Sequence, residues 1–82
     1  MILVDVFVPS IDKSYNFLLG EDVPIGSVIE ELAEMVESHE AAPFAGTREH
    51  LQLVDVSSQA FLSKTNTLKE CSITTGSTLI LV

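Results

Sequence analysis

The segment at 67–82, TLKECSITTGSTLILV, constrains the fold more than any other part of the sequence. A turn carrying Leu68 and Ile73 comes first. Beyond it, successive residues face opposite sides of an extended chain, with Leu79 and Leu81 on the same side. This alternation predicts a strand that continues to the last residue. Since no polar tail follows it, we expect this strand in the interior of a sheet and not at a frayed edge.

A second apolar segment, ILVDVFV at 2–8, predicts the strand that lies next to it. Its single charge, Asp5, assigns Leu3 and Phe7 to the outward side and the even-numbered residues to the core. Because these two segments are the most apolar strands in the sequence, we expect them side by side and parallel in the middle of the sheet.

A hairpin connection over residues 9–14 leads to a strand at 14–19. Alternation in this strand directs Tyr15 and Phe17 inward and Leu18 outward. The first two strands are therefore expected to form a pair with one apolar inner side.

Apolar residues with the spacing of a helix begin after Pro24, a residue that favours a helix start. The apolar positions recur on one side for about three turns: Ile25, Val28, Ile29, Leu32, Met35 and Val36. The opposite side is acidic, with Glu30, Glu34 and Glu37 in line. We interpret it either as an ordinary solvated surface or as an acidic docking face for a basic partner.

The rest of the chain completes an α+β fold. Residues 41–49 predict a loop that Phe44 holds to the core, and strands at 50–56 and 60–63 follow. A crossover connection must pack its helix against the sheet, so this order predicts a β-grasp: a mixed sheet of four to five strands with one helix on one face. We interpret 1–82 as a single domain.

In a β-grasp of this length no segment remains to cover the second face of the sheet. The apolar residues expected there are Leu3, Phe7, Leu18, Val54, Ile80 and Val82. A patch of this kind is typical of an interface, although scattered surface hydrophobes are also common on small proteins. We therefore predict a protein-binding surface at Leu3, Phe7, Leu18, Ile80 and Val82, with the acidic helix face as a secondary site.

Composition argues against several other functions. The net charge of −8 and only four scattered basic residues disfavour nucleic acid and anionic lipid as partners. The apolar runs are too short for membrane insertion. Neither His39 nor His50 has the spaced ligands of a metal site, and Cys71 is expected to be a small buried core residue. No catalytic motif or phosphate loop is present, so we predict no enzymatic activity and no cofactor.

Two segments resemble the YukD/EsaB family: DVPIGSVIEELAEMV at 22–36 and TLKECSITTGSTLIL at 67–81. This family comprises small bacterial ubiquitin-like proteins of type VII (WXG100, ESX) secretion, and it also occurs as the N-terminal domain of the membrane component EccD. The resemblance implies a cytoplasmic interaction module, a component or regulator that binds a protein of the secretion machine. Self-association through the open sheet face is a further expectation.

Two alternatives remain open. Ubiquitin-like modifiers and sulfur carriers resemble the chain in fold, but they act through a C-terminal diglycine, whereas this sequence ends Ile80-Leu81-Val82. A β-branched valine held in a sheet cannot thread into an enzyme site as glycine does, which disfavours this alternative. The other alternative is a domain excised from an EccD-like membrane protein, and the intact mass of the native gene product would test it.

Overall fold

A computed structural model of the protein describes residues 1–41 and 48–82 and shows, within them, one α-helix and a five-stranded mixed sheet. The elements are β1 (Ile2–Val8), β2 (Lys13–Leu19), α1 (Ile25–Glu40), β3 (Leu53–Asp55), β4 (Ala60–Phe61) and β5 (Thr78–Leu81). The strand order is β2-β1-β5-β3-β4, in which β1 and β5 are parallel and the other neighbours antiparallel. The predicted β-grasp, with its first and last strands parallel inside the sheet, is confirmed.

The hydrophobic core lies between α1 and one face of the sheet. Every second side chain of β1 and β5 is buried, and Leu79 and Leu81 are 0% and 1% exposed. The helix contributes a matching stripe of buried residues: Ile25, Val28, Ile29, Leu32, Ala33 and Val36. Apolar side chains of the helix and the strands form one cluster. The predicted inward faces of the first and last strands are therefore correct.

Backbone groups of the segment before β5 hold the start of α1. Pro24 precedes the helix and has no polar side chain to cap it. Instead, the N–H of Ile25 donates to the carbonyl of Asn66 at 2.8 Å, and the N–H of Gly26 donates to that of Lys64 at 3.0 Å. Since the first helical N–H groups have no partner within the helix, these bonds satisfy them and fix the helix against residues 62–77, called here the closing segment.

A single helical turn within the closing segment supplies two more core residues. The N–H of Thr67 donates to Glu70 Oε1 at 2.8 Å, and the N–H of Glu70 donates to Thr67 Oγ1 at 3.1 Å, which is a reciprocal capping box. The turn buries Leu68, and Ile73 follows it into the core. Gly76 then adopts φ +95° and donates its N–H to the carbonyl of Leu3, which brings the chain into line beside β1.

Several predicted boundaries differ from the structure. The strand expected at 50–56 covers only β3, because Arg48–His50 form a 3-10 turn before it. The connection expected at 9–14 contains a 3-10 turn, Pro9–Ile11, and then Asp12 in the left-handed region at φ 51°. β5 ends one residue earlier than expected, although Val82 still exchanges both backbone hydrogen bonds with Gln52. Phe44, expected to hold the loop to the core, lies outside the described residues.

The burial of Leu79 generates a stability prediction. Leu79→Ala should lower the free energy of unfolding by about 2–5 kcal/mol, because it leaves a cavity in the core. Leu18→Ala is the matched control: it removes the same atoms from a side chain that is 57% exposed, and should cost less than about 1 kcal/mol. Urea denaturation followed by circular dichroism measures both losses. Equal losses would contradict the assignment of inner and outer faces.

Candidate functional site

The candidate site is the sheet face opposite α1, called here the open face. No segment of the described chain forms a second layer on it. Strand pairing determines which side chains meet there: Phe7 lies opposite Ile80, Ile80 opposite Val54, and Val54 opposite Phe61. These four residues form a continuous line across β1, β5, β3 and β4, which we call the apolar row.

The apolar row presents large side chains to solvent. Phe61 is 66% exposed at the β4 end, and the other three members are half-buried. Directly paired residues on one face of a sheet have Cβ atoms about 5 Å apart, so the four side chains form a contiguous surface. A contiguous exposed apolar surface on a small domain is typical of a site that contacts another molecule.

A second line of residues crosses the open face beside the apolar row and is polar. Asp5 lies opposite Asn16 on β2 and opposite Thr78 on β5. We call these three residues the polar row. Asp5 carries the only formal charge among the outward-facing strand residues of the described chain. Depletion of charge is characteristic of the centre of a protein interface.

The structure places all five residues of the predicted surface on the open face or at its end. They do not form one group, however. Phe7 and Ile80 belong to the apolar row. Leu3 and Leu18 pair with each other on the far side of the polar row, and both are exposed. Val82 follows β5 and is also exposed. The expected single patch is therefore two apolar areas separated by the polar row, and its role in binding stays a prediction.

The sequence did not identify Phe61 as part of this surface. Its strand, β4, has only two residues and so shows no alternation that could reveal which way each side chain points. The register of the β3–β4 pair shows that the Phe61 side chain points to the open face, because Phe61 lies directly opposite Val54. The signal that could have found it is the turn at 57–59, which fixes the register of a hairpin between the two strands.

The acidic helix face is partly neutralised in the folded chain. The guanidinium of Arg48 forms an ion pair with Glu37 and approaches Glu30 at 3.5 Å. The hydrogen bond to Glu37 is the main cause of a raised pKa for Arg48. Glu34 is exposed between them. The three predicted residues do share a face, but a basic side chain from the 3-10 turn already contacts two of them.

Side chains of β2 and the end of α1 form a polar cluster on the helix side of the sheet. The hydroxyl of Tyr15 donates to Glu40, and Lys13 Nζ lies 3.1 Å from the same carboxylate. The hydrogen bond to Glu40, together with burial and the carboxylate's charge, raises the pKa of Tyr15 from 10.0 to about 12. The bonds from Tyr15 and Lys13 lower the pKa of Glu40. His39 lies in the last helical turn, with its ring edge-on to Tyr15.

The described residues offer little for metal or covalent chemistry. No group of three His, Cys, Asp or Glu side chains among them is arranged to hold a metal ion. Cys71 is half-buried and packs against the core, whereas full burial was expected. No helix in residues 1–41 or 48–82 is long and apolar enough to cross a membrane.

A β-grasp sheet in this strand order, with one helix on one face, defines a ubiquitin-like domain. The chain superimposes on the N-terminal ubiquitin-like domain of the 4931431F19Rik protein with a TM-score of 0.76, at 20% identity over 99% of this chain and 72% of that one. The ubiquitin-like domain of Arabidopsis thaliana protein At2g32350 gives a TM-score of 0.73, at 21% identity over 99% of this chain and 74% of that one. Caldiarchaeum subterraneum ubiquitin gives a TM-score of 0.73, at 12% identity over 98% of this chain and 89% of that one.

Structural similarity at such low sequence identity establishes the fold alone. The family is established by the sequence. No curated protein matches the chain significantly. The model of the family described as "WXG100 protein secretion system (Wss), protein YukD" matches residues 3–81. The chain therefore belongs to the YukD family, and the family resemblance seen in its sequence is confirmed.

The Tyr15–Glu40 hydrogen bond can be tested by titration, since Tyr15 is the only tyrosine in a chain without tryptophan. The tyrosinate absorbance of the folded protein should titrate at about pH 12, and that of Glu40→Gln nearer the usual value of 10.0, because the charged acceptor is removed. Lys13→Met should leave the pKa raised. A wild-type tyrosine that titrates at the usual value while circular dichroism still shows the fold would contradict the bond.

The same two shifts contribute to the pH dependence of stability. The pKa of Tyr15 is raised on folding, so its contribution is complete below pH 10.0 and is lost as pH rises through about 12. The pKa of Glu40 is lowered, so its contribution is present above the unfolded pKa and is lost as pH falls through the folded one. Both contributions are present at neutral pH.

Proposed function

We propose that this chain is a non-catalytic interaction module, a cytoplasmic component or regulator of a WXG100 secretion system, folded as one ubiquitin-like domain over residues 1–82. It binds a protein component of that system through the open face. The observation that carries the proposal is the apolar row, a continuous line of one exposed and three half-buried apolar side chains on a face whose outward strand residues carry a single charge. Membership of the YukD family supports the link to the secretion system.

The apolar row suits binding because its side chains stand on paired strands. Ile80 and Val54 belong to strands that pair with a neighbour on each side, so a partner that covers them orders little additional chain. Because little ordering is needed, less of the free energy gained by burying apolar area is lost on binding. Phe61 is the most exposed member of the row and is the aromatic side chain best placed to enter a pocket on the partner.

The open face is separable from the core that stabilises the fold. Ile80 points away from α1, whereas its neighbours Leu79 and Leu81 point toward it. Substitutions on the outer side of β5 therefore leave the helix contacts in place. The binding role can be tested in variants that keep the fold.

The test is pairwise calorimetric binding between the chain and each purified component, or soluble domain of a component, of the WXG100 secretion system encoded in the source genome. One component should bind the wild type. Phe61→Ser, and separately Phe7→Ala combined with Ile80→Ser, should weaken that binding by about ten-fold or more, since hot-spot side chains at an interface centre contribute over 1 kcal/mol each. Thermal melts should stay close to wild type.

Glu31→Lys combined with Glu34→Lys serves as the control on the helix side, because it leaves the Arg48 ion pairs in place. It should bind as the wild type does. Binding that survives the open-face substitutions but is lost in this control would transfer the site to the acidic helix face.

A further inference from the structure

We propose that the surface bound by the open face presents a basic side chain, flanked by apolar groups, that pairs with Asp5. The partner is then a basic segment of another protein and not a second copy of this chain. This inference rests on the proposed function of the open face and names the chemistry of its partner.

Asp5 is a carboxylate without a partner inside an otherwise uncharged surface. It lies between the Leu3–Leu18 pair and the apolar row. Within the described part of the chain, no hydrogen bond or ion pair engages its side chain. Any partner that covers both apolar areas also covers Asp5. Burial of an unpaired carboxylate is costly, so a positive group on the partner at this position favours a stable complex.

The chain does not supply that positive group itself. Its basic residues are few, and three of the four already contact other parts of the protein. Lys13 pairs with Glu40, Arg48 with Glu37, and Lys64 donates to a backbone carbonyl at 2.8 Å. With a net charge of −8, the field around the molecule attracts a cationic partner toward the uncompensated carboxylate.

A second copy of the chain fits the open face poorly for the same reason. Two copies packed face to face would each bring Asp5 and no basic residue to the interface. Each carboxylate would then face apolar side chains, its counterpart or the neutral side chains of Asn16 and Thr78, and none of these supplies a positive charge. The two molecules also repel each other through their net charge.

The polar row indicates which basic side chain fits best. Asn16 and Thr78 flank Asp5 directly across the neighbouring strands and add oxygen acceptors to those of the carboxylate. A guanidinium carries five donors in a planar fork and can use several acceptors in one line, which an ammonium does less well. The aliphatic part of an arginine side chain can pack on the apolar row beside it.

The test is selection from a displayed library of random peptides against the immobilised wild-type chain and the Asp5→Lys variant in parallel. Peptides selected on the wild type should be enriched in arginine next to apolar residues, and those selected on Asp5→Lys in acidic residues. Measured individually, the wild-type peptides should lose about ten-fold in affinity for Asp5→Asn, since a hydrogen bond to a charged group contributes about 1.5–3 kcal/mol. Asp12→Asn, the same change at an exposed turn residue, should bind them unchanged.

Three outcomes would overturn the inference. Peptides that require Phe61 but contain no basic residue would remove the role of Asp5 and leave the proposed open face standing. Basic peptides that bind Phe61→Ser as tightly as the wild type would show attraction elsewhere on the acidic surface. Sedimentation equilibrium that shows a dimer, dissociated by Phe61→Ser, would assign the face to a second copy. The proposed function itself is judged separately, by the calorimetry with secretion components.

Discussion

The structure depends on the parallel pairing of β1 and β5 beneath a single helix. These two strands lie inside the sheet and supply most of its buried side chains, and α1 covers the face to which those side chains point. A sheet has two faces, and within the described residues the helix covers one. The apolar residues on the other face, which include Phe7 and Ile80, therefore have no partner from the helix layer. Both the stability of the domain and its candidate site follow from this one arrangement.

The closing segment connects the two layers. Its carbonyl groups at Lys64 and Asn66 accept the first N–H groups of α1, and its later residues pair with β1 through Gly76 and Ser77. One stretch of chain thus contacts the start of the helix and the centre of the sheet. Since it also carries the buried Leu68, displacement of this segment would disturb the core and the helix start together.

The sequence predicted those features that depend on local periodicity. Alternation in β1 and β5 revealed the faces of Phe7 and Leu79, and helical spacing revealed the buried stripe of α1. Features that depend on tertiary contact were not predicted. The ion pairs of Arg48 join residues 11 and 18 positions apart, and nothing in their spacing indicates them. Phe61 was missed as a surface residue because a two-residue strand has no period, so only its pairing with Val54 shows its direction.

For the binding role proposed for the open face, its arrangement in rows affects specificity more than affinity. An entirely apolar face would bind many apolar surfaces with similar strength, because the hydrophobic effect has no preferred direction. Asp5, placed between two apolar areas, penalises every partner that covers it without supplying a positive charge. The same carboxylate opposes self-association of a chain that exposes Phe61 and Leu18. One charged residue at the centre of a strand can therefore restrict the partners of a surface whose binding free energy comes from its apolar neighbours.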